Sequence, residues 1–428
     1  MKCVSTRGGA AVSIDDALSA GLAPDGGLYI PTHWPARSID APTSTLAETA
    51  FMVLQPFFVE SGLDGALRSI CSAAFAFDAP LRPLHGTDDF MLELFHGPTC
   101  AFKDFGARFL ANALHALRGD AAPTLTILVA TSGDTGAAVA AAFHALPGFR
   151  VVILYPEGGV SPRQAQGLEC WGDKVRTFRV QGTFDACQAM VKSALSDATL
   201  RTRVPLASAN SISLGRLLPQ VAYHAHAALT FRADTGQLLN LIIPTGNLGN
   251  ACAAVMARRM GLPIGDIVLA TNANDTLPRY FDGAPYAARA SEPTLANAMD
   301  VGAPSNFERL RAWHADDADL RASLTAHAVD DGTIRDTIAA APARHGVIAC
   351  PHTATALHLL ERIRSRGDRR PWALCATAHP AKFDSIVEPA IGMSVPVPAA
   401  LAAMDARPAQ FQPMAASYEA LARQLLSQ

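Results

Sequence analysis

Short apolar runs that end in small polar or glycine-rich turns and lead into alanine-rich amphipathic stretches recur along this chain. The clearest is residues 125–130, followed by a turn at 131–136 and a predicted helix over 137–146. This alternation is typical of strand–helix units that build parallel sheets. The sequence therefore predicts an α/β protein with open, mostly parallel sheets rather than a barrel.

The same alternation predicts further elements. Strands are predicted at 151–155, 175–180, 238–243, 267–270, 347–349 and 372–376, and helices at 184–195, 251–260 and 353–363. Residues 272–345 lack a clear strand and carry four prolines, which predicts a helical insertion or cover. We expect a mainly helical N-terminal region at 1–85, a smaller α/β domain at 86–220 and a larger one at 221–428.

Charge and composition exclude several classes of partner. The formal net charge is −3, 17% of the residues are charged, and no block of like charges occurs, so no nucleic-acid or membrane surface is expected. The sequence lacks both an apolar signal core and a run of about 18 apolar residues. Its eight cysteines form no C-x-x-C pair, and its histidines lack ligand spacing. We expect a cytoplasmic protein that binds a small molecule and no metal.

A glycine-rich loop at residues 242–250 reads Ile-Ile-Pro-Thr-Gly-Asn-Leu-Gly-Asn and precedes a predicted helix. Its glycines allow several backbone amides to converge on one phosphate at the helix N-terminus. The loop has neither the Gly-Lys-Ser/Thr ending of a P-loop nor the glycine spacing of dinucleotide-binding proteins. It indicates a monophosphate site, with a plain strand-to-helix turn as the alternative.

The turn at residues 131–136 is a second candidate binding loop. It reads Thr-Ser-Gly-Asp-Thr-Gly, which places three hydroxyls and a carboxyl before a helix. The amides at such a helix start can hold a carboxylate. A simple helix N-cap is the alternative interpretation.

Lys103 is the most reactive candidate side chain. It lies in His-Gly-Pro-Thr-Cys-Ala-Phe-Lys-Asp-Phe-Gly, flanked by phenylalanines near the start of a predicted helix. Desolvation and the helix dipole both disfavour a protonated amine there, which favours a nucleophilic lysine. Of the five lysines only Lys382 offers a comparable setting, and a solvated surface position is the alternative for either. Together with a monophosphate site, Lys103 indicates a Schiff base with pyridoxal 5′-phosphate.

Four motifs in order, HGPTCAFKDFG, ATSGDTGAAV, PTGNLGN and ATAHPAKF, resemble the threonine synthase family of fold-type-II pyridoxal phosphate enzymes. The resemblance extends to VSTRG, DGGLYIP, the stretch around Asn210 and DVGAPSNFER, and it is closest to the longer bacterial and fungal branch. It implies two sheet domains of the tryptophan synthase β type and a monomer rather than a dimer.

The resemblance also implies roles for individual residues. Lys103 would carry the cofactor and act in catalysis, Thr377 would contact its pyridine nitrogen, and Asp134 would lie beside its hydroxyl. The residues implied to cradle the cofactor phosphate are Gly246, Asn247, Leu248, Gly249 and Asn250. Those implied to bind the substrate carboxylate are Thr131, Ser132, Asp134 and Thr135. Two departures from the family pattern are Ser213, in place of asparagine, and Leu248, in place of phenylalanine.

The implied reaction converts O-phosphohomoserine and water into threonine and phosphate by β,γ-elimination and replacement, which makes the enzyme a carbon–oxygen lyase. We expect Arg216, with Asn210 and Ser211, to hold the substrate phosphate, because a guanidinium offers a planar fork to phosphate oxygens. The alternative places Arg216 in a surface ion pair, and Arg108 and Arg163 are weaker candidates. Two other functions remain open: a fold-type-II lyase acting on another amino acid, and a catalytically silent relative.

Overall fold

The computed structural model describes residues 1–35, 39–119, 122–172 and 174–427. The strands are β1 (Lys2–Ser5), β2 (Gly8–Ser13), β3 (Tyr29–Pro31), β4 (Leu81–Pro83), β5 (Phe90–Glu93), β6 (Leu125–Ala130), β7 (Phe149–Pro156), β8 (Val175–Gln181), β9 (Leu206–Ser208), β10 (Leu239–Pro244), β11 (Ile264–Thr271), β12 (Thr325–Ala328), β13 (Trp372–Ala376) and β14 (Gln412–Ala415).

The helices are α1 (Ile14–Ala20), α2 (Leu46–Phe58), α3 (Leu67–Ala74), α4 (Lys103–Arg118), α5 (Asp134–Phe143), α6 (Pro162–Glu169), α7 (Phe184–Ser196), α8 (Ala198–Arg203), α9 (Leu214–Leu217), α10 (Gln220–Thr235), α11 (Gly249–Arg259), α12 (Thr276–Phe281), α13 (Phe307–Trp313), α14 (Asp317–Ser323), α15 (Asp331–His345), α16 (Pro351–Ser365), α17 (Asp384–Ile391), α18 (Ala399–Asp405) and α19 (Tyr418–Leu426). Short 3₁₀ turns lie at Asp64–Ala66, Asn297–Met299 and Pro380–Phe383.

Two mostly parallel sheets form the body of the protein. The larger has the order β12-β11-β10-β13-β5-β4, in which only β4 runs antiparallel to its neighbour. The smaller has the order β14-β8-β7-β6-β9, and all its pairs are parallel. Every residue of β6 and of β10 is buried, as expected for strands with helices on both faces. The predicted α/β class is confirmed.

The N-terminal region is less helical than the sequence predicts. Helices α2 and α3 agree with the periodicity from Leu46 onward, but β1, β2 and β3 form a three-stranded antiparallel sheet ahead of them. These strands are short, and β2 opens with Gly8 and Gly9. Glycine weakens the strand signal because it adds no side chain to an alternating pattern.

Two strands cross the domain borders expected from the sequence. Residues 90–93, which the expected borders assign to the smaller domain, form β5 and pair in parallel with β13 of the larger sheet. Residues 412–415, assigned to the larger domain, form β14 and pair in parallel with β8 of the smaller sheet. The division at residues 86 and 221 is therefore wrong for these two segments, because neither is predicted as a strand from the sequence and no local pattern records which sheet a strand joins.

Most single elements agree with their predictions. Helices α7, α11 and α16 lie within two residues of the predicted bounds. The strand predicted at 347–349 is wrong: this apolar run packs as a coil that leads into α16. The region 272–345 does contain a strand, β12, which pairs with β11 at the sheet edge. Its sequence, Thr-Ala-His-Ala, has no apolar run, so hydrophobic patterning missed it.

Candidate active site

Lys103 is the first residue of α4, where the sequence predicts it. The segment before it bridges the segment after β13: the Phe102 amide donates to the Thr377 carbonyl at 2.9 Å, and the His379 amide donates to the Cys100 carbonyl at 3.0 Å. Lys103 is therefore fixed beside the carboxyl end of β13. This is the edge of a parallel sheet at which ligands bind in α/β proteins.

Asp134 and two lysines form a buried charge cluster. Lys103 Nζ lies 3.5 Å from Asp134 Oδ2, and Lys382 Nζ lies 2.8 Å from Asp134 Oδ1. Burial lowers the pKa of Lys103; Asp134 opposes this effect, and the positive charges of Lys382 and Arg216 add to it. Burial alone would raise the pKa of Asp134, but Lys382 and Lys103 hold it well below its usual range. The cluster thus pairs Asp134, which is held in its anionic form, with Lys103, an amine whose pKa is lowered.

The loop between β6 and α5 is shaped by its own side chains. Thr131 Oγ1 accepts from the amides of Gly133 and Gly136 at 3.0 Å each, so this hydroxyl is engaged within the loop. Thr131 stays a predicted substrate contact. Gly133 has φ of 126°, and a Cβ there would lie 2.6 Å from Gln164 Nε2. Ser132 and Thr135 remain predicted carboxylate contacts at the start of α5.

The loop between β10 and α11 has the form expected of a phosphate cradle. Leu248 adopts a left-handed conformation, with φ of 64°, just before α11 begins at Gly249. A left-handed residue next to helical ones turns successive amides toward one point, and the first amides of a helix lack intrahelical partners. A Cβ at Gly246 would lie 2.8 Å from the Met299 Cα, so no side chain fits there. Glycine at this position lets the loop pack directly against the Met299 backbone.

Asn247 and Asn250 have different tasks in this loop. Asn247 Nδ2 donates to Ser211 Oγ at 2.7 Å, and Asn247 Oδ1 accepts from the Ser305 amide at 2.5 Å, so this side chain joins three loops. Asn250 Oδ1 accepts from His224 Nε2 at 2.7 Å. Among the described residues, nothing accepts from the buried Asn250 Nδ2, which leaves a donor available to an anion.

His224 is a positioning residue that the sequence did not reveal. It is buried on α10, and burial lowers its pKa to about 4, so the ring is neutral and donates one N–H. That hydrogen bond fixes the orientation of the Asn250 amide. A histidine and an asparagine that lie on two different helices carry no shared sequence signal.

Arg216 is buried, with 3% of its surface exposed, so its placement in a surface ion pair is wrong. Its Nη1 donates to the Ala209 carbonyl, while its Nε is buried and has no acceptor within the described ranges. Burial lowers its pKa to about 10, so it stays protonated at neutral pH. Asn210, six residues before Arg216 in the chain, has a buried Oδ1 that also lacks a hydrogen-bond partner among the described residues. The unpaired Arg216 Nε is a donor that an anionic ligand would satisfy, whereas Asn210 Oδ1 is an acceptor and needs a donor.

The other arginines considered are already engaged. Arg108 donates to the Ala73 carbonyl. Arg163 pairs with Asp384 and Asp405, each at 3.0 Å. Their charges are directed at protein groups, which favours Arg216 as the cation for a substrate phosphate.

Asn306 and Arg309 stabilise the glycine loop through hydrogen bonds. The sequence analysis did not assign either residue to the site. Asn306 Nδ2 donates to the Asn247 carbonyl at 2.8 Å. Arg309 is fully buried and donates to Asn306 Oδ1, to the Ile212 carbonyl at 2.7 Å and to the Tyr29 carbonyl at 3.1 Å. The signal was present as Ser-Asn-Phe-Glu-Arg, in which the two side chains are spaced for one helix face.

The site at Lys103 is distinct from a surface cavity elsewhere in the protein. That cavity, of about 580 Å³, is lined by residues such as Tyr286, Phe307 and Arg311, and no predicted site residue lines it. Within the described ranges, no group of three or more His, Cys, Asp or Glu side chains is arranged to hold a metal ion, and no helix is long and apolar enough to cross a membrane. Perturbed and unpaired groups converge instead around Lys103, which marks it as the functional site.

An open α/β fold with a buried lysine of lowered pKa and a glycine loop at a helix N-terminus defines the class of pyridoxal phosphate-dependent enzymes. The family pattern "Pyridoxal-phosphate dependent enzyme" matches residues 79–380. The patterns "Threonine synthase N terminus" and "Threonine synthase, C-terminal" match residues 2–75 and 353–424. The chain belongs to the threonine synthase family, and pyridoxal 5′-phosphate is its cofactor.

Relatives and solved structures agree over the whole length. A threonine synthase from Serratia marcescens is 39% identical over 421 residues, which cover 97% of this chain and 96% of that protein. The crystal structure of threonine synthase from Escherichia coli has a TM-score of 0.90 and 36% identity, and all of each chain is covered. The structure of PLP-bound threonine synthase from Brucella melitensis has a TM-score of 0.90 and 32% identity, covering 100% of this chain and 99% of that one. The expected family and fold are confirmed.

Proposed function

We propose that this protein catalyses the threonine synthase reaction, in which O-phospho-L-homoserine and water give L-threonine and phosphate. The observation that carries the proposal is a second anion site in addition to the cofactor loop. Arg216 is buried, charged and incompletely paired, and its charge acts on Lys103. A substrate with its own phosphate needs such a cation, whereas an unphosphorylated serine derivative does not.

The described residues fit the cofactor. The loop at 246–250 leads into the first amides of α11 and carries the unpaired Asn250 Nδ2 for a phosphate, and Lys103 offers a buried amine for an aldehyde. Thr377 follows β13 and is tied by its carbonyl to the Phe102 amide, so we assign its hydroxyl to the pyridine nitrogen. When bound, the cofactor supplies a conjugated electron sink for the pair left when a proton leaves Cα or Cβ of an amino acid.

Lys103 is the acid–base group of the proposed reaction. With the cofactor and substrate bound, its Nζ would lie within the site, and its lowered pKa would favour removing a proton and returning it. Asp134 remains anionic against the two lysines, so we assign it to the cofactor side and not to the substrate carboxylate. Ser132, Thr135 and the first amides of α5 are left for that carboxylate.

Arg216 is assigned to the leaving phosphate. In the reaction the Cγ–O bond breaks and phosphate departs, after which water adds its hydroxyl at Cβ, so the enzyme is a carbon–oxygen lyase. The guanidinium stabilises the charge that grows on the leaving oxygen, and its low-dielectric surroundings strengthen that interaction. Asn210 and Ser211 lie on the loop that precedes α9 and complete the proposed phosphate site.

The test is turnover by the purified full-length chain loaded with pyridoxal 5′-phosphate. We expect phosphate and threonine in equal amounts from O-phosphohomoserine and no comparable turnover of O-acetylserine. Preference for O-acetylserine would move the function to a lyase of another amino acid, and a loaded protein without turnover would be a silent relative. The monomeric state and the cytoplasmic location expected from the sequence stay predictions.

A further inference from the structure

A second buried lysine, Lys382, contacts the same carboxylate as Lys103. It lies on the 3₁₀ turn Pro380–Phe383, just after β13, and its side chain is 4% exposed. Its Nζ donates to the Thr99 carbonyl at 2.7 Å and lies 2.8 Å from Asp134 Oδ1. Its own carbonyl accepts from Ser161 Oγ at 2.8 Å. Both ends of the residue are therefore fixed.

Asp134 is shared unequally between its partners. Lys382 is the closer lysine, at 2.8 Å against 3.5 Å for Lys103. Gln164 Nε2 also donates to Oδ1, at 3.2 Å. The single negative charge of Asp134 interacts with both lysines. Its ion pair with Lys103 is therefore weaker than it would be if Lys103 were the only cation beside this carboxylate. Lys103 is the partner that Asp134 holds least tightly.

The other charged or titratable groups near the cluster do not change how Asp134 is shared between Lys382 and Lys103. Arg216 acts on Lys103 as a further positive charge. His352 acts on Asp134, but burial lowers the pKa of this histidine to about 4, and its Nε2 accepts from the Ala298 amide at 3.1 Å. The imidazole is therefore neutral at neutral pH. Asp104 directs its carboxylate to the amide and hydroxyl of Thr99.

We propose that Lys382 is a positioning residue that draws the charge of Asp134 away from Lys103 and so keeps Lys103 as an unprotonated amine ready to capture the cofactor. Without the positive charge of Lys382, Asp134 would pair with Lys103 alone and hold a proton on it. Only an unprotonated amine can attack the cofactor aldehyde carbon, because the nitrogen needs its lone pair; its two hydrogens then leave with the carbonyl oxygen as water. The inference rests on the proposed function only in that Lys103 carries the cofactor.

The experiment measures how fast the full-length chain, freed of cofactor, attaches added pyridoxal 5′-phosphate at a series of pH values. Attachment is followed by the visible absorption band and confirmed at Lys103 by borohydride reduction and peptide mass. In Lys382→Gln we expect the midpoint of the rate profile to rise by about one pH unit or more, and capture at neutral pH to slow about tenfold. The matched control is Lys192→Gln, which removes an exposed lysine on α7 and leaves the midpoint unchanged.

A double variant guards against loss of folding, since removal of one partner from a buried charge cluster is destabilising. In Lys382→Gln with Asp134→Asn both opposing charges are gone, so we expect a midpoint at or below that of the unaltered protein. A purely structural role for Lys382 predicts the same midpoint in every folded variant. An unmoved midpoint in Lys382→Gln, or a raised midpoint in the double variant, overturns the inference.

The same proteins separate this inference from the proposed function. A shifted midpoint in a protein that does not turn over O-phosphohomoserine refutes only the proposed reaction. Turnover in a protein whose midpoint is unmoved by Lys382→Gln refutes only the role of Lys382.

Discussion

Replacing Gly246 by alanine tests whether the glycine loop is held by backbone contact. The new Cβ would lie 2.8 Å from the Cα and 3.0 Å from the carbonyl oxygen of Met299. Both are backbone atoms, so no flexible side chain can swing away, and one of the two segments has to move. Added atoms in a packed site cost about 1–3 kcal/mol.

That strain appears either as lower stability or as a displaced loop. If the loop moves, a loss of about 1.4 kcal/mol in binding free energy weakens cofactor affinity tenfold, and twice that weakens it a hundredfold. We therefore expect Gly246→Ala to reduce cofactor affinity by about tenfold to a hundredfold, to lower the urea midpoint of the cofactor-free chain, or to do both. The assays are titration with pyridoxal 5′-phosphate and urea denaturation.

Gly249→Ala is the matched control for the stability measurement. Its Cβ would meet Gln220 Nε2 at 3.7 Å, an ordinary contact, and Gly249 is already the first residue of α11. Alanine at this position should leave the urea midpoint unchanged or raise it, because glycine is the poorer helix residue by about 0.5–1 kcal/mol. Equal stability and equal cofactor affinity in Gly246→Ala and the unaltered protein would refute the argument from close contact.

Three further predictions concern single side chains. Lys103→Ala should abolish both the visible band and turnover while the protein still folds, which absorption and circular dichroism will show; a retained band would place the cofactor on another lysine. Arg216→Ala should lower kcat/KM for O-phosphohomoserine by about thirtyfold or more, since unpairing a buried charged contact costs about 2–5 kcal/mol, and an unchanged kcat/KM with a normal band would contradict its assignment. His224 has a pKa lowered to about 4 by burial, so the stability it contributes is present above its ordinary value of 6.5 and is lost as pH falls toward 4. His224→Gln should therefore flatten the fall of the urea midpoint across that range, and an unaltered pH slope would show that the ring does not stay neutral in the fold.

The sequence predicted the recurring strand–helix units of the fold. It did not predict the features that depend on which strands pair with each other. Apolar runs such as β6 and β10 are readable because both faces are buried, which leaves a continuous hydrophobic signal. Edge strands such as β12 carry no such run. The exchange of β5 and β14 between the sheets was also unreadable, because a parallel strand can pair with a strand hundreds of residues away.

In the candidate site, too, local features were predictable from the sequence and contacts between distant segments were not. Lys103 and the loop at 246–250 were predictable because a helix start and closely spaced glycines are local features. The burial of Arg216 and the hydrogen bond from His224 to Asn250 depend on how separate helices pack, and no local pattern records that. In the sequence, Lys382 is an alternative to Lys103 as the reactive lysine. The structure shows that both lysines contact the carboxylate of Asp134.

The exchange of strands between the two sheets also sets the order in which the protein can be completed during synthesis. The larger sheet needs β13 beside β5, and the smaller sheet needs β14 at the edge of β8, so both wait for the last sixty or so residues to leave the ribosome. Thr377 and Lys382 belong to that late segment, so a nascent chain that ends before residue 382 leaves the amine of Lys103 without its final surroundings. The surroundings of Lys103 are therefore completed only after β13 has paired with β5.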